Sequence, residues 1–96
     1  MRPSKPKPST NKDIARLLRN VSTAYLIKNE NRFKILAYEK AADHIELLTS
    51  ELSDIWRQGE LDKVGGIGPS IASHLSEYFE KGHSSFIDNI LKDFPH

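Results

Sequence analysis

The segment Leu61-Asp62-Lys63-Val64-Gly65-Gly66-Ile67-Gly68-Pro69-Ser70-Ile71-Ala72 constrains the fold more than any other. Proline suits the first residue of a helix, where its missing N–H goes unused, so Pro69 marks a helix start. Gly66 and Gly68 permit backbone angles closed to other residues and leave their amides unshielded. Leu61–Val64 reads as a short helical turn, so two helical pieces must meet across a very tight loop. Ile67 can point inward and pin that loop, and Ala72 is small enough to let the pieces cross. The first N–H groups of a helix lack internal acceptors and sit at the positive end of its dipole, which favours an anion there. Gly66, Gly68, Ser70 and Ile71 are the candidate donors. A Gly-x-Gly alone is more often an ordinary tight turn. Its weight here comes from the flanking helical pieces and the spacing of Ile71, Ala72 and Leu75.

Apolar residues elsewhere recur at helical spacing, and no segment alternates with period two. Asn11 is a good N-cap for a first helix, with Asp13 favoured in its first turn. The stripe Ile14, Leu17, Leu18, Val21, Tyr25 and Ile27 follows. Asn29–Asn31 reads as a turn, and a second helix runs from Asn31 or Arg32 to Leu48. Its stripe is Phe33, Ile35, Leu36, Tyr38, Ala41, Ala42, Ile45 and Leu48, with Ala41-Ala42 allowing close helix approach. Thr49 or Ser50 can cap a third helix through Trp56, stopped by Gly59. The helix led by Pro69 carries Leu75, Tyr78 and Phe79 and ends at Gly82. A last one starts at Ser84 or Ser85 and uses Phe86, Ile87, Ile90 and Leu91. The expected fold is all-α, a compact bundle of about five short helices.

A chain of 96 residues supports one small domain. It has no cysteine, which excludes disulfides and thiolate metal sites. No apolar run approaches the roughly 20 residues of a membrane span, and no secretory signal is evident, so an intracellular protein is expected, cytoplasmic if bacterial. Residues 1–12 carry Arg2, Lys5, Lys7 and Lys12 and no acid, for a charge of +4. The remainder has 10 basic and 13 acidic residues, for −3. A mildly acidic body cannot hold nucleic acid by bulk attraction, so binding must come from a local feature. Residues 1–10, with Pro3, Pro6 and Pro8, read as a disordered basic tail, either a solvated leader or an electrostatic arm. Residues 11–96 form the domain. His44, His74, His83 and His96 are scattered, with no pair at metal-ligand spacing. Without a long heptad seam, a monomer is expected.

The central segment resembles the helix-hairpin-helix motif, whose usual core is hydrophobic-Pro-Gly-Ile-Gly; Gly65 stands where proline is common. The resemblance extends further. Asn11–Asn20, Asn31–Ile45 around Phe33-Lys34-Ile35-Leu36-Ala37-Tyr38, and Val64–Gly82 are collinear with the N-terminal, polymerase beta-like domain of family X DNA polymerases. The sheet domain that carries the polymerase aspartates has no counterpart in this sequence. The resemblance implies a domain that holds a 5′-phosphate at a DNA gap, with Lys34 at a phosphate-contacting lysine and Tyr38 at the neighbouring aromatic. Read from the residues alone, Lys34 is equally a solvated helix lysine, and Tyr38 falls on the apolar stripe. Lys63, Ile67, His74 and Lys81 complete the expected DNA contacts. The resemblance also implies a monovalent cation, K+ or Na+, on the backbone carbonyls of Asp62, Val64 and Ile67.

One departure bears on catalysis. The family's Schiff-base lysine is matched by His74, and a second lysine of the same helix by Ser70. Imidazole cannot form the imine that lysine chemistry needs. The leading expectation is therefore a DNA-binding module without strong sequence preference, part of or accessory to a family X polymerase in DNA repair. Two alternatives stand beside it: a deoxyribose-phosphate or abasic-site lyase using a displaced amine, chiefly Lys34, Lys63 or Lys81, with His74 able to abstract a proton during elimination, and a helical adaptor binding a polymerase or other repair protein.

Overall fold

The structure, a computed structural model, describes residues 10–92. Except for Thr10, the basic tail expected over residues 1–10 lies outside the described residues. Five α-helices and one 3₁₀ turn account for the described fold, and no strand occurs among these residues. The expected all-α class holds.

Helix α1 spans Asn11–Ile27 and is capped by Thr10, not by Asn11. Thr10 Oγ1 accepts the Asp13 N–H at 3.2 Å, and the Asp13 carboxylate accepts the Thr10 N–H at 3.1 Å. This reciprocal pair satisfies two N–H groups at the helix start. Asn11 is thereby released for a distant task. Its Oδ1 accepts the Leu52 N–H at 2.7 Å, and its Nδ2 donates to the Ser50 carbonyl at 2.8 Å. Helix α3, Leu52–Arg57, therefore begins on a side chain from α1. Neither Thr49 nor Ser50 caps it, and its N-cap Glu51 makes no side-chain bond.

Helix α2, Arg32–Leu47, is capped by Asn31, whose Oδ1 accepts the Phe33 N–H at 2.6 Å. The turn before it uses Asn29 at φ 61°, a left-handed conformation that asparagine tolerates better than most residues. Helices α1 and α2 run antiparallel, as three cross-links show. Tyr25 meets Tyr38 edge-on at 5.6 Å, Ser22 Oγ donates to the Ile35 carbonyl, and Arg19 forks onto Asp43 and Glu46. The 3₁₀ turn Leu61–Lys63 leads into the glycine loop, followed by α4, Pro69–Lys81, which closes on Gly82 at φ 85°. Helix α5, Ser85–Leu91, is capped by Ser84 and packs back on α1. Ile14, Leu18, Ile45, Leu52, Leu75 and Ile87 are fully buried where these elements meet. Burying each such side chain is worth about 1.5–3 kcal/mol.

The apolar stripe expected on α2 needs correction. Tyr38, Ala41, Ala42 and Ile45 fill the seam, whereas Phe33 is 81% exposed and Leu36 48%. Ile27, at the last residue of α1, is 66% exposed. The small pair Ala41-Ala42 draws the helices together, so the seam closes on one narrow face and the adjacent apolar face stays uncovered. Helical periodicity records that both faces are apolar but not which one is covered.

Candidate nucleic-acid interface

The glycine loop is open where the anion argument needs it to be. Among the described residues, the main-chain N–H groups of Gly66, Gly68, Ser70 and Ile71 meet no acceptor. Ser70 and Ile71 lie in the first turn of α4, where no intrahelical acceptor can reach them. Ile67 is different: its N–H is taken by the Val64 carbonyl at 3.2 Å, and its side chain is buried. Ile67 therefore anchors the loop from within, and its contribution to a ligand is confined to its carbonyl.

The two glycines serve different ends. Gly66 sits at φ 85°, and a Cβ placed there would lie 2.6 Å from His44 Cγ. The loop thus rests on the His44 ring of α2, and only glycine allows that approach. Gly68, the N-cap of α4, has an ordinary extended backbone, φ −82° and ψ 174°, and open space where a Cβ would go. Its bareness keeps the outer side of the loop clear. At Gly65 a Cβ would make an ordinary contact, 3.6 Å from His44 Nδ1, so space does not demand glycine there.

A pocket of about 410 Å³ lies between the first turn of α4 and α2. Lys34, Tyr38, Ser70 and Ile71 line it together, with Tyr25, Phe33, Ala37 and Phe86 completing the walls. The Lys34 ammonium sits 3.5 Å from Glu30 Oε1 and 5.8 Å above the Tyr25 ring, so it is lightly held at the rim. Tyr38 is 5% exposed, and among the described residues its hydroxyl has no hydrogen-bond partner. Burial pushes its phenol far above the usual range, so the hydroxyl remains a proton donor. A buried, unpaired donor costs free energy unless something accepts from it. An open groove of about 910 Å³, lined by Gly66, Ile67 and Gly68 of the loop, runs along α2 past Leu36, Lys40, His44 and Leu47. Phe33 and Ala37 border both spaces.

The remaining sequence-derived candidates are placed less centrally. Lys63 is exposed and pairs with Glu60 at 3.7 Å. Lys81 pairs with Glu77 at 3.8 Å and stands at the far end of α4, about 18 Å from its start. His74 lies one turn beyond Ser70 with its ring flat on Phe86, centroids 4.0 Å apart and planes 3° from parallel. Burial holds its imidazole below the ordinary value of 6.5, with Glu77 opposing. The carbonyls of Asp62, Val64 and Ile67 lie along the loop, and that of Val64 already accepts the Ile67 N–H on one lone pair.

The depressed His74 value has a measurable consequence. The unfolded chain takes up this proton more readily than the native one, so the neutral ring's contribution is full above pH 6.5. It is lost as pH falls from there towards the lower native value. Thermal midpoints followed between about pH 8 and pH 5 should fall further for the wild type than for His74→Phe, which keeps a ring and removes the proton. Equal falls would show that another group carries the acid sensitivity.

Sequence patterns do not single out His44, the floor of the loop, or Phe86, the pocket wall, as site residues. The Gly65-Gly66 doublet hints that something approaches closely, yet it does not say what.

Comparison with known proteins agrees with the geometry. The helix-hairpin-helix domain family matches residues 9–84. This chain belongs to that family. Its hairpin is the 3₁₀ turn, the Val64–Gly68 loop and α4. A stretch of 84 residues, 88% of the chain, is 33% identical to the DNA polymerase/3'-5' exonuclease PolX of Bacillus subtilis (strain 168). The chain spans 14% of that relative's length. Within this helix-hairpin-helix domain, α5 comes after the stretch that the family match covers. No described helix is long and apolar enough to cross a membrane.

Proposed function

We propose that this helix-hairpin-helix domain grips the sugar-phosphate backbone of DNA, with its pocket reserved for a 5′-terminal phosphate at a gap, as part of or accessory to a family X DNA polymerase in repair. One observation carries the reading: a single pocket is lined by Lys34, by Tyr38, whose hydroxyl is unpartnered, and by Ser70 and Ile71, whose N–H groups are unbonded. A phosphate monoester supplies the acceptor oxygens and negative charge that those donors lack. The relative's printed activity, a DNA polymerase and exonuclease, supplies the context. The grip reads no sequence, because amides and lysines at phosphates position DNA without touching base edges.

In this reading the domain binds without catalysing. The ring of His74 is packed on Phe86 and can form no imine. A monovalent cation on the carbonyls of Asp62, Val64 and Ile67 would steady the loop beside the phosphate.

Fluorescence anisotropy on gapped duplexes that differ only in a downstream 5′-phosphate or 5′-hydroxyl tests the proposal. The phosphorylated gap should bind about tenfold tighter, and Lys34→Ala should erase most of that difference. The same variant should also lower the slope of log K against log salt by about one. Absence of binding to any gapped, nicked or intact duplex at low salt would remove the proposal, leaving an adaptor role to be sought among co-purifying proteins.

A further inference from the structure

Phe86 belongs to α5, the element beyond the stretch matched by the family, yet it lines the pocket with Lys34, Ser70 and Ile71. Its ring is held from two directions. Behind it lies the His74 imidazole, parallel at 4.0 Å. Beneath it, α5 is fastened by buried Ile87 and Ile90 and by the Glu77 carboxylate, which accepts the Ser85 hydroxyl at 3.1 Å and the Ser85 N–H at 3.3 Å. Phe86 nevertheless remains 39% exposed. A ring with one face backed by another ring, and with open surface on a pocket, is a rigid platform on which little freedom is lost when a flat ligand stacks. The pocket's volume lies within the range that holds a small ligand, larger than a lone phosphate requires.

We infer that Phe86 forms an aromatic wall for the base of the terminal nucleotide, so that the pocket takes a 5′-phosphorylated strand end that carries its base, in preference to a bare phosphate or an abasic end. The inference rests on the phosphate-pocket reading above and adds the chemical class of the group attached beyond the phosphate. Lys34, Tyr38 and the amides hold the phosphate, and the sugar then carries the base across towards α5. Stacking on an aromatic face tolerates any base, so the wall asks whether a base is present without asking which one.

Three gapped duplexes decide it with the full chain. Their downstream ends carry a 5′-phosphate on a normal nucleotide, a 5′-phosphate on a tetrahydrofuran abasic unit, or a 5′-hydroxyl on a normal nucleotide. The wild type should bind the first at least about fivefold tighter than the second, the low end of one base–aromatic stack. Phe86→Ala should bring those two affinities together while both stay tighter than the hydroxyl end. Phe86→Tyr should restore the ratio and Phe86→Leu should not, which separates a stacking face from mere bulk. Equal wild-type affinity for the two phosphorylated ends overturns the inference and leaves the phosphate reading intact. Loss of every phosphate preference in the wild type overturns both. Because the decisive ratio is measured on the wild type, it stands even if a variant fails to fold.

Discussion

Gly66→Val should lower the stability of the domain by about 3–5 kcal/mol, close to the whole margin of a small fold. Two separate penalties combine. A β-branched residue held at φ 85° is in a conformation that L side chains avoid. Its Cβ would also fall 2.6 Å from His44 Cγ and 2.7 Å from Cδ2, atoms too near the α2 backbone to swing away cheaply. A urea titration measures the sum. Pairing Gly66→Ala with His44→Ala separates the parts: removing the ring should relieve the two closest contacts and leave roughly 1–2 kcal/mol of backbone strain beside the milder 3.1 Å contact with His44 Cβ. A Gly66→Val chain that unfolds at the wild-type midpoint would mean that the loop does not rest on His44.

Gly68→Val gives the opposite pattern, a sound fold with an impaired surface. Its backbone angles are ones that valine adopts readily, and no atom beyond its own residue and its chain neighbours lies within 4 Å of the added Cβ. Exchanging glycine for valine at an N-cap costs about 1 kcal/mol or less. The isopropyl group would, however, add bulk to an open stretch of the loop next to the free N–H group of Gly68. DNA affinity should drop at least about tenfold, or 1.4 kcal/mol, with the melting curve nearly unmoved. Anisotropy and thermal unfolding on the same sample check both halves. Undiminished binding would remove the hairpin amides from the interface. In the sequence, both glycines read alike as guards of the amides. The structure shows that Gly66 is required by the fold, whereas the fold makes no such demand at Gly68.

Much of the architecture is legible in the chain itself. Pro69 and Gly82 bracket α4 as their backbone preferences require, and the stripe Ile14, Leu18, Val21 and Tyr25 runs down the buried face of α1. These signals are local, carried by residues within a turn or two of one another. The features that escape such a reading are long-range. Asn11 reads as a cap for the helix it begins, since nothing nearby shows that it reaches Leu52. Phe33 and Leu36 read as core because helical spacing cannot say which of two apolar faces a partner covers. The site divides in the same way. The loop donors emerge from glycine, proline and helix physics, whereas Lys34 and Tyr38 enter only through family resemblance. That Phe86 joins them depends on how α5 folds back, and no short-range pattern encodes that path.

The clasp made by Asn11 has a bearing on how the protein assembles. Six residues are too few to sustain a helical coil unaided, so α3 depends on tertiary support that includes this remote side chain. The α1–α2 pair, built from neighbours in sequence, closes a small loop and can form early. Only then is the far end of α1 in position to receive the stretch of chain leading into α3. The segment just ahead of the glycine turn is consequently expected to be completed late, its short helix waiting on a side chain 41 residues earlier in the sequence.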